Sequence, residues 1–224
     1  TPFSNRELLV AIFVLLLVSP ALLFGRPSSM PHLMLSVTSD DQEPPHAKSA
    51  RSAMIRMWLA RLLVQIAEAS LFAFLLLWFR SLDPDFGAND AASIFALVLG
   101  MAVIFAWVIG RWSDRAARPM LPLIWGSGIA ALGLFGMSFA PGLPMAIAGY
   151  VAFGLASSIF LALHTSQTLR VLPLPQTRGR YLGVFNLTNT VPSLIMPWLT
   201  LALVPSYGFD ALFLLLAALA VVAW

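Results

Sequence analysis

The chain contains no cysteine, which excludes disulfide bonds, thiolate metal sites and a cysteine nucleophile. Charged side chains are also scarce, because they make up 10% of the 224 residues whereas a soluble domain carries about 25%. Hydrophobic residues account for 59% of the chain and the mean hydropathy is +0.86, so there is too little polar surface to cover a water-soluble globule. The composition therefore indicates an integral membrane protein.

Clusters of lysine and arginine are missing as well. The net charge is only +3 and the basic residues are dispersed, which excludes the phosphate-binding surface that a nucleic-acid partner requires. A basic excess is expected in a membrane protein from its orientation signals alone. No Ser–His–Asp set and no metal-ligand spacing falls on a shared helical face, so we expect no enzyme activity, no catalytic residue, no metal and no cofactor.

Seven apolar segments are long enough to cross about 30 Å of hydrocarbon, which takes roughly 20 residues. They are predicted at about 7–24, 54–79, 91–110, 119–139, 144–169, 180–204 and 210–224. The polar stretch after the first segment has no apolar periodicity and predicts a linker. The predicted organisation is a transmembrane helix in 1–25, a cytoplasmic linker in 26–53 and a transmembrane bundle of six helices in 54–224.

The basic residues alternate between the two sides of this predicted bundle. Three polar regions contain Arg26, Lys48, Arg51 and Arg56, then Arg111, Arg115 and Arg118, then Arg170, Arg178 and Arg180. The regions between them contain only Arg80. Because lysine and arginine favour cytoplasmic loops, this alternation supports seven spans with the linker in the cytoplasm. We expect a multi-pass protein of the lipid bilayer, in a bacterial inner (plasma) membrane.

One cytoplasmic loop carries a specific motif. The segment from Gly110 to Arg118 resembles the signature of the major facilitator superfamily, which has Gly, three residues, Asp, a basic residue, one residue, Gly and further basic residues. The matching residues are Gly110, Asp114, Arg115 and Arg118. Ala117 departs from the signature where the family usually has Gly, and Pro119 replaces a second basic residue. Without the resemblance, the same residues would be an orientation signal at a tight helical hairpin.

The resemblance implies an all-α fold of the type found in the C-terminal half bundle of that family. The linker matches the central loop between the two six-helix halves, so the chain would contain the sixth to twelfth helices. The chain also begins without methionine and stops at Trp224 inside an apolar run. We therefore expect a fragment, with the N-terminal half of the same protein as its partner.

The resemblance also implies a gating role for the motif. In the family this cluster closes the cytoplasmic side and sets the balance between inward-open and outward-open states. On physical grounds, Asp114 lies where a carboxylate can cap a helix N-terminus or pair with a nearby arginine. We assign gating to Asp114 and Arg118 by resemblance.

Three polar residues share one face of the second predicted span. Arg61, Gln65 and Glu68 follow each other at i, i+4 and i+7. A charged side chain at the bilayer centre costs roughly 2.5–3.5 kcal/mol, so this face must contact protein or water. Glu68 is a candidate for proton or cation coupling, or for a substrate contact, and the alternative is a hydrogen-bonded structural glutamate. By resemblance, this helix would line the family's central cavity.

A second polar face lies in the sixth predicted span. Asn186, Asn189 and Ser193 are spaced at i, i+3 and i+7. They could bind a hydroxylated solute, or they could hold neighbouring helices together. The segment from Arg178 to Pro192 is similar to the corresponding region of sucrose and other glycoside–cation symporters, which favours a sugar. His164, near the end of the fifth span, is interpreted as structural rather than as a proton relay.

These observations favour secondary active transport of a small solute, with a sugar or glycoside preferred. Coupling to a proton or cation is expected, and movement would follow alternating access around a midplane site. The alternative is a non-transporting membrane scaffold or assembly factor that retains the fold. The third predicted span favours the alternative, since it offers almost no polar side chain to a solute.

Overall fold

The computed structural model describes residues 47–171 and 178–224. In these ranges every regular element is a helix: α1 (Ala47–Leu82), α2 (Ala88–Arg115), α3 (Leu121–Ser138), α4 (Leu143–Val171) and α5 (Arg178–Ala223). Each contains a segment that is long and apolar enough to span a membrane. The predicted span at 7–24 and most of the predicted linker lie outside the described residues. Residues 47–53, which were assigned to the linker, are helical, although the apolar span of α1 begins at Met54.

The last helix consists of two arms joined at a break. A straight helix of 46 residues would be about 69 Å long, twice what a bilayer needs. Gly208 interrupts it with φ 77° and ψ 179°, in a region of backbone conformation that favours glycine. Contacts with α1 show that the chain reverses there. Trp58, near the start of α1, donates to the Val184 carbonyl, whereas Trp78, near its end, contacts Phe213 with ring centroids 4.5 Å apart.

After the reversal the chain returns to the first end of the bundle. Ala223 packs against the buried cluster formed by Val64, Leu123 and Phe160. The two arms of α5 correspond to the predicted spans at 180–204 and 210–224. The described residues therefore contain six helical arms, which matches the number of spans predicted for residues 54–224.

Aromatic side chains fill the core at the Arg80 end of the bundle. Phe79 is buried between Trp78, Phe86 and Tyr150, with ring centroids 5.0 Å apart in the Phe79–Phe86 pair. Edge-to-face pairs of this kind add to the packing of helices in a membrane, where the lipid is as apolar as the side chains.

The opposite end of the bundle gathers the basic segments. A Cβ atom at Gly110 would lie 3.2 Å from Leu163, so the end of α2 lies against the end of α4. Arg61 near the start of α1 binds Thr165 of α4, and Trp58 binds the start of α5. The motif loop, the end of α4 and the start of α5 are thus at one end, and Arg80 is at the other.

Candidate functional site

Arg61 connects three helices near the basic end of the bundle. Its Nε donates to Thr188 Oγ1 of α5 at 3.1 Å, and its Nη1 donates to Thr165 Oγ1 of α4 at 2.8 Å. Both hydroxyl groups donate their own proton to their helix, Thr188 to Phe185 O and Thr165 to Leu161 O. Their lone pairs are therefore left to accept from the guanidinium group.

Three amide side chains extend this cluster. Asn189 Oδ1 accepts from Gln65 Nε2 at 3.0 Å and from Arg61 Nη2 at 3.4 Å. Asn189 Nδ2 in turn donates to Asn186 Oδ1 at 3.0 Å. Four of the six predicted cavity residues, Arg61, Gln65, Asn186 and Asn189, are thus joined in one hydrogen-bonded network between α1 and α5.

Ser193 is one of the two predicted cavity residues that lie outside this network. Its side chain is exposed, and its hydroxyl donates to the Thr190 carbonyl of its own helix at 2.7 Å. The spacing from Asn186 places it on the same face of α5, but one turn beyond the residues that meet α1.

A cavity of about 400 Å³ opens beside this network. This volume falls within the range of sites that hold small molecules. Arg61 is the charged residue in its lining. The other polar residues of the lining are Thr165, Thr168, Asn186 and Asn189.

Glu68 belongs to a neighbouring contact rather than to the network itself. Ser157 of α4 donates to Glu68 Oε1 at 3.4 Å and also to the Gly154 carbonyl at 3.3 Å. Glu68 is partly buried and lies near the middle of a continuous helix, whereas Asp210, the other acidic residue inside a described helix and far from its ends, directly follows the Gly208 break. The predicted polar stripe of α1 therefore divides, with Arg61 and Gln65 meeting α5 and Glu68 meeting α4.

His164 fixes the base of the site. It is buried, its Nε2 lies 2.9 Å from the Met57 carbonyl and its Nδ1 lies 3.2 Å from Thr168 Oγ1. With the proton on Nε2, the ring donates to the Met57 carbonyl of α1. Thr168 Oγ1 also lies 2.9 Å from the His164 carbonyl, so its single proton is available to that oxygen or to Nδ1. The adjacent Thr165 accepts from Arg61 at 2.8 Å. The structural interpretation of His164 stays a prediction.

Sequence reasoning did not assign Thr165, Thr168, Thr188 or Ser157 to the site. Each is a hydroxyl residue within an otherwise apolar span, and this was the feature of the sequence that could have indicated them. Single threonines and serines are common in membrane helices because they bond to the backbone of their own helix. Their additional contacts with Arg61 and Glu68 depend on helix rotation, which the local sequence does not give.

The motif residues lie at the same end as the Arg61 network. Asp114 and Arg115 form the last turn of α2 and are exposed. The loop after them is closed by a reciprocal pair of hydrogen bonds, Arg118 N to Ser113 O and Ser113 Oγ to Arg118 O, both 3.1 Å. Ala117, at the position where the signature has Gly, adopts φ 52°. The gating assignment of Asp114 and Arg118 stays a prediction.

Comparison with known families supports the resemblance of the motif. A family model described as the Major Facilitator Superfamily matches residues 57–224, a segment that includes the Arg61 network, Glu68 and the whole motif loop. No curated protein and no solved structure matches the chain.

Proposed function

Because the chain belongs to the Major Facilitator Superfamily, we propose that it takes part in the coupled transport of a small polar solute, with Glu68 carrying the coupling proton. Membership of the family supports membrane transport in general, and the five long apolar helices make this a multi-pass membrane protein. Beyond membrane transport in general, we propose where the solute binds, which residue carries the proton and which class of solute is transported.

The observation that carries the proposal is the polar network beside the cavity. An arginine within a membrane span is costly unless it is hydrogen-bonded or meets water or a ligand. Here Arg61 is held by three side chains from two other helices, and the lining beside it is made of amides and hydroxyls. Such groups bind hydroxylated solutes, which keeps a sugar or glycoside as the favoured class.

The exposed side of the network suggests how the site is completed. Asn186, Asn189 and Thr165 are exposed in the described bundle. In alternating access the solute lies between two helical halves that rock about it. We propose that a second half faces these residues, and that Asp114 and Arg118 influence which side of the membrane is open.

A scaffold without transport activity is the second candidate. It is favoured by α2, whose exposed residues include Leu97, Val103, Ile104 and Trp107, an apolar surface suited to lipid or to another helix. A scaffold has no need of a membrane-embedded arginine beside a cavity. The Arg61 network therefore favours transport.

Glu68→Gln tests the coupling role, because it keeps the size and hydrogen-bonding capacity of the side chain and removes its titration. We expect the complete protein in proteoliposomes to lose accumulation driven by an alkaline interior while retaining solute exchange. The matched control is Asp85→Asn, an exposed acid in the loop after α1, which should leave both activities unchanged.

The two readouts separate the possible results. Loss of exchange together with accumulation would make Glu68 a solute contact instead of a coupling residue. Accumulation at the wild-type level would show that Glu68 is structural and would remove it from the mechanism.

A further inference from the structure

We infer that the solute held by the Arg61 network is an anion, a hydroxylated carboxylate of sugar size. This inference rests on the proposed function and deepens it by giving the charge of the solute. It starts from the partners of Arg61. In the described part of the chain its three hydrogen bonds all go to neutral oxygen atoms, those of Thr188, Thr165 and Asn189.

The three hydrogen bonds do not use all the N–H donors of the Arg61 guanidinium group. It carries five N–H groups, and the three hydrogen bonds use one each on Nε, Nη1 and Nη2. One N–H therefore remains on each of the two terminal nitrogens. A carboxylate has two oxygens that can accept from such a pair, and charge-assisted contacts of this kind are about twice as strong as neutral ones.

The other residues of the cavity lining indicate which further groups the solute carries. Arg61 supplies positive charge there, and Thr165, Thr168, Asn186 and Asn189 supply groups that both donate and accept. A cationic solute would be repelled, and a neutral sugar would offer the remaining N–H groups of Arg61 no charged acceptor. A compound that carries both a carboxylate and several hydroxyls satisfies the whole lining.

Glu68 connects this anion to the coupling proton. Arg61 and Glu68 lie two turns apart on the same helix, close enough for the charge of one to act on the other where water is excluded. When Glu68 is ionised, it partly neutralises the attraction of Arg61 for an anion. When Glu68 takes up a proton, the full positive charge of Arg61 becomes available, so the proton and the anion should bind together.

Glucose, gluconate and glucosamine provide the test, since they share a carbon skeleton and differ in charge. The complete protein is reconstituted in proteoliposomes with an alkaline interior, and accumulation of each labelled compound is measured. We expect gluconate to exceed glucose and glucosamine by about tenfold or more, as a charge-assisted contact should give. An excess of unlabelled gluconate, but not of glucose, should suppress the gluconate uptake.

Two substitutions test whether Arg61 causes the preference for gluconate. Arg61→Gln should remove the preference for gluconate, and Arg61→Lys should retain part of it because the charge is kept but the paired donors are lost. Arg80→Gln is the matched control, since that arginine lies at the other end of the bundle and donates to the Phe86 carbonyl. Thermal unfolding of each purified variant shows whether it is folded.

Each other outcome counts against the inference. Accumulation of glucose or glucosamine without gluconate would overturn the anion and leave coupled transport standing. Failure to accumulate any of the three would overturn the inference as stated, and the proton-coupling role of Glu68 would then be judged on the solute that the protein does carry. Competition between gluconate and glucose on the wild-type protein tests the charge of the solute without relying on any variant.

Discussion

Ala117, which stands where the motif usually has Gly, adopts a backbone conformation that favours glycine. Its φ of 52° is the positive value among the non-glycine residues that the structure describes. In this region the Cβ atom of an L-residue crowds the following carbonyl, which costs roughly 1–2 kcal/mol. The loop holds the angle nevertheless, because the paired Ser113 and Arg118 hydrogen bonds close the turn around it.

Ala117→Gly is therefore expected to stabilise the protein. Relief of the strain is partly offset by the extra freedom of glycine in the unfolded chain, about 0.4–1 kcal/mol, which leaves a net gain of up to about 1.5 kcal/mol. Thermal unfolding in detergent, followed by tryptophan fluorescence, measures the change. Ala116→Gly is the control, since Ala116 has φ −78° and should lose stability on substitution. A lower stability for Ala117→Gly than for Ala116→Gly would contradict the strain argument.

The residues of the candidate site were only partly predictable from the sequence. Helical spacing correctly placed Arg61 with Gln65, and Asn186 with Asn189, because neighbours on one face follow from the period of the helix. Their partners Thr165 and Thr188 are 104 and 127 residues away from Arg61 in sequence. No local period gives which helix lies opposite or how it is rotated, and this is why Glu68 turned out to meet Ser157 instead of joining the network.

Whole helices were easier to predict than their ends. Hydropathy located each described span, because crossing a bilayer requires a long apolar segment. The ends depend on caps and turns. The span predicted from residue 91 begins earlier, at Ala88, because Gly87 is its N-cap and Asp90 accepts a hydrogen bond from the Gly87 N–H at 2.9 Å. The break between the last two spans was correctly expected after residue 204, and Gly208 provides it.

Helix packing between α3 and α4 depends on two glycines. A Cβ atom at Gly133 would lie 2.7 Å from Phe153 N and 2.8 Å from Gly149 O, so the two backbones are nearly in contact. Small residues allow this approach, and close packing is what holds helices together in a lipid environment.

Gly133→Ala should therefore force α3 and α4 apart. We expect a loss of about 1–3 kcal/mol in unfolding free energy, the usual cost of overpacking. The matched control is Gly136→Ala one turn further along α3, where a Cβ atom would meet nothing within 4 Å. Chemical unfolding of both variants in detergent measures the difference. Equal stability of the two would show that the glycine contact is not needed for packing.

Across the described bundle, the Arg61 network and the largest group of aromatic contacts lie at opposite ends. The Arg61 network and the motif loop lie at the basic end, whereas the interlocked aromatic residues around Phe79 lie at the Arg80 end. Binding of solute and control of access would therefore be concentrated at one end of the bundle. The aromatic end would move as a rigid body in the rocking motion that alternating access requires.

The combined charge of solute and proton determines which force drives the protein. One carboxylate and one proton together carry no net charge, so the membrane potential should not drive uptake of gluconate. A proton moving with a neutral sugar would instead gain about 2.3 kcal/mol per 100 mV, about fiftyfold in accumulation.

Proteoliposomes with the complete protein are clamped at different potentials by valinomycin and potassium, while the pH gradient is held constant. We expect gluconate accumulation to be unchanged by the potential and to disappear when the pH gradient is collapsed, with Glu68→Gln insensitive to both. Accumulation that rises steeply with an inside-negative potential would instead mean that positive charge enters, and would exclude the pairing of one anion with one proton.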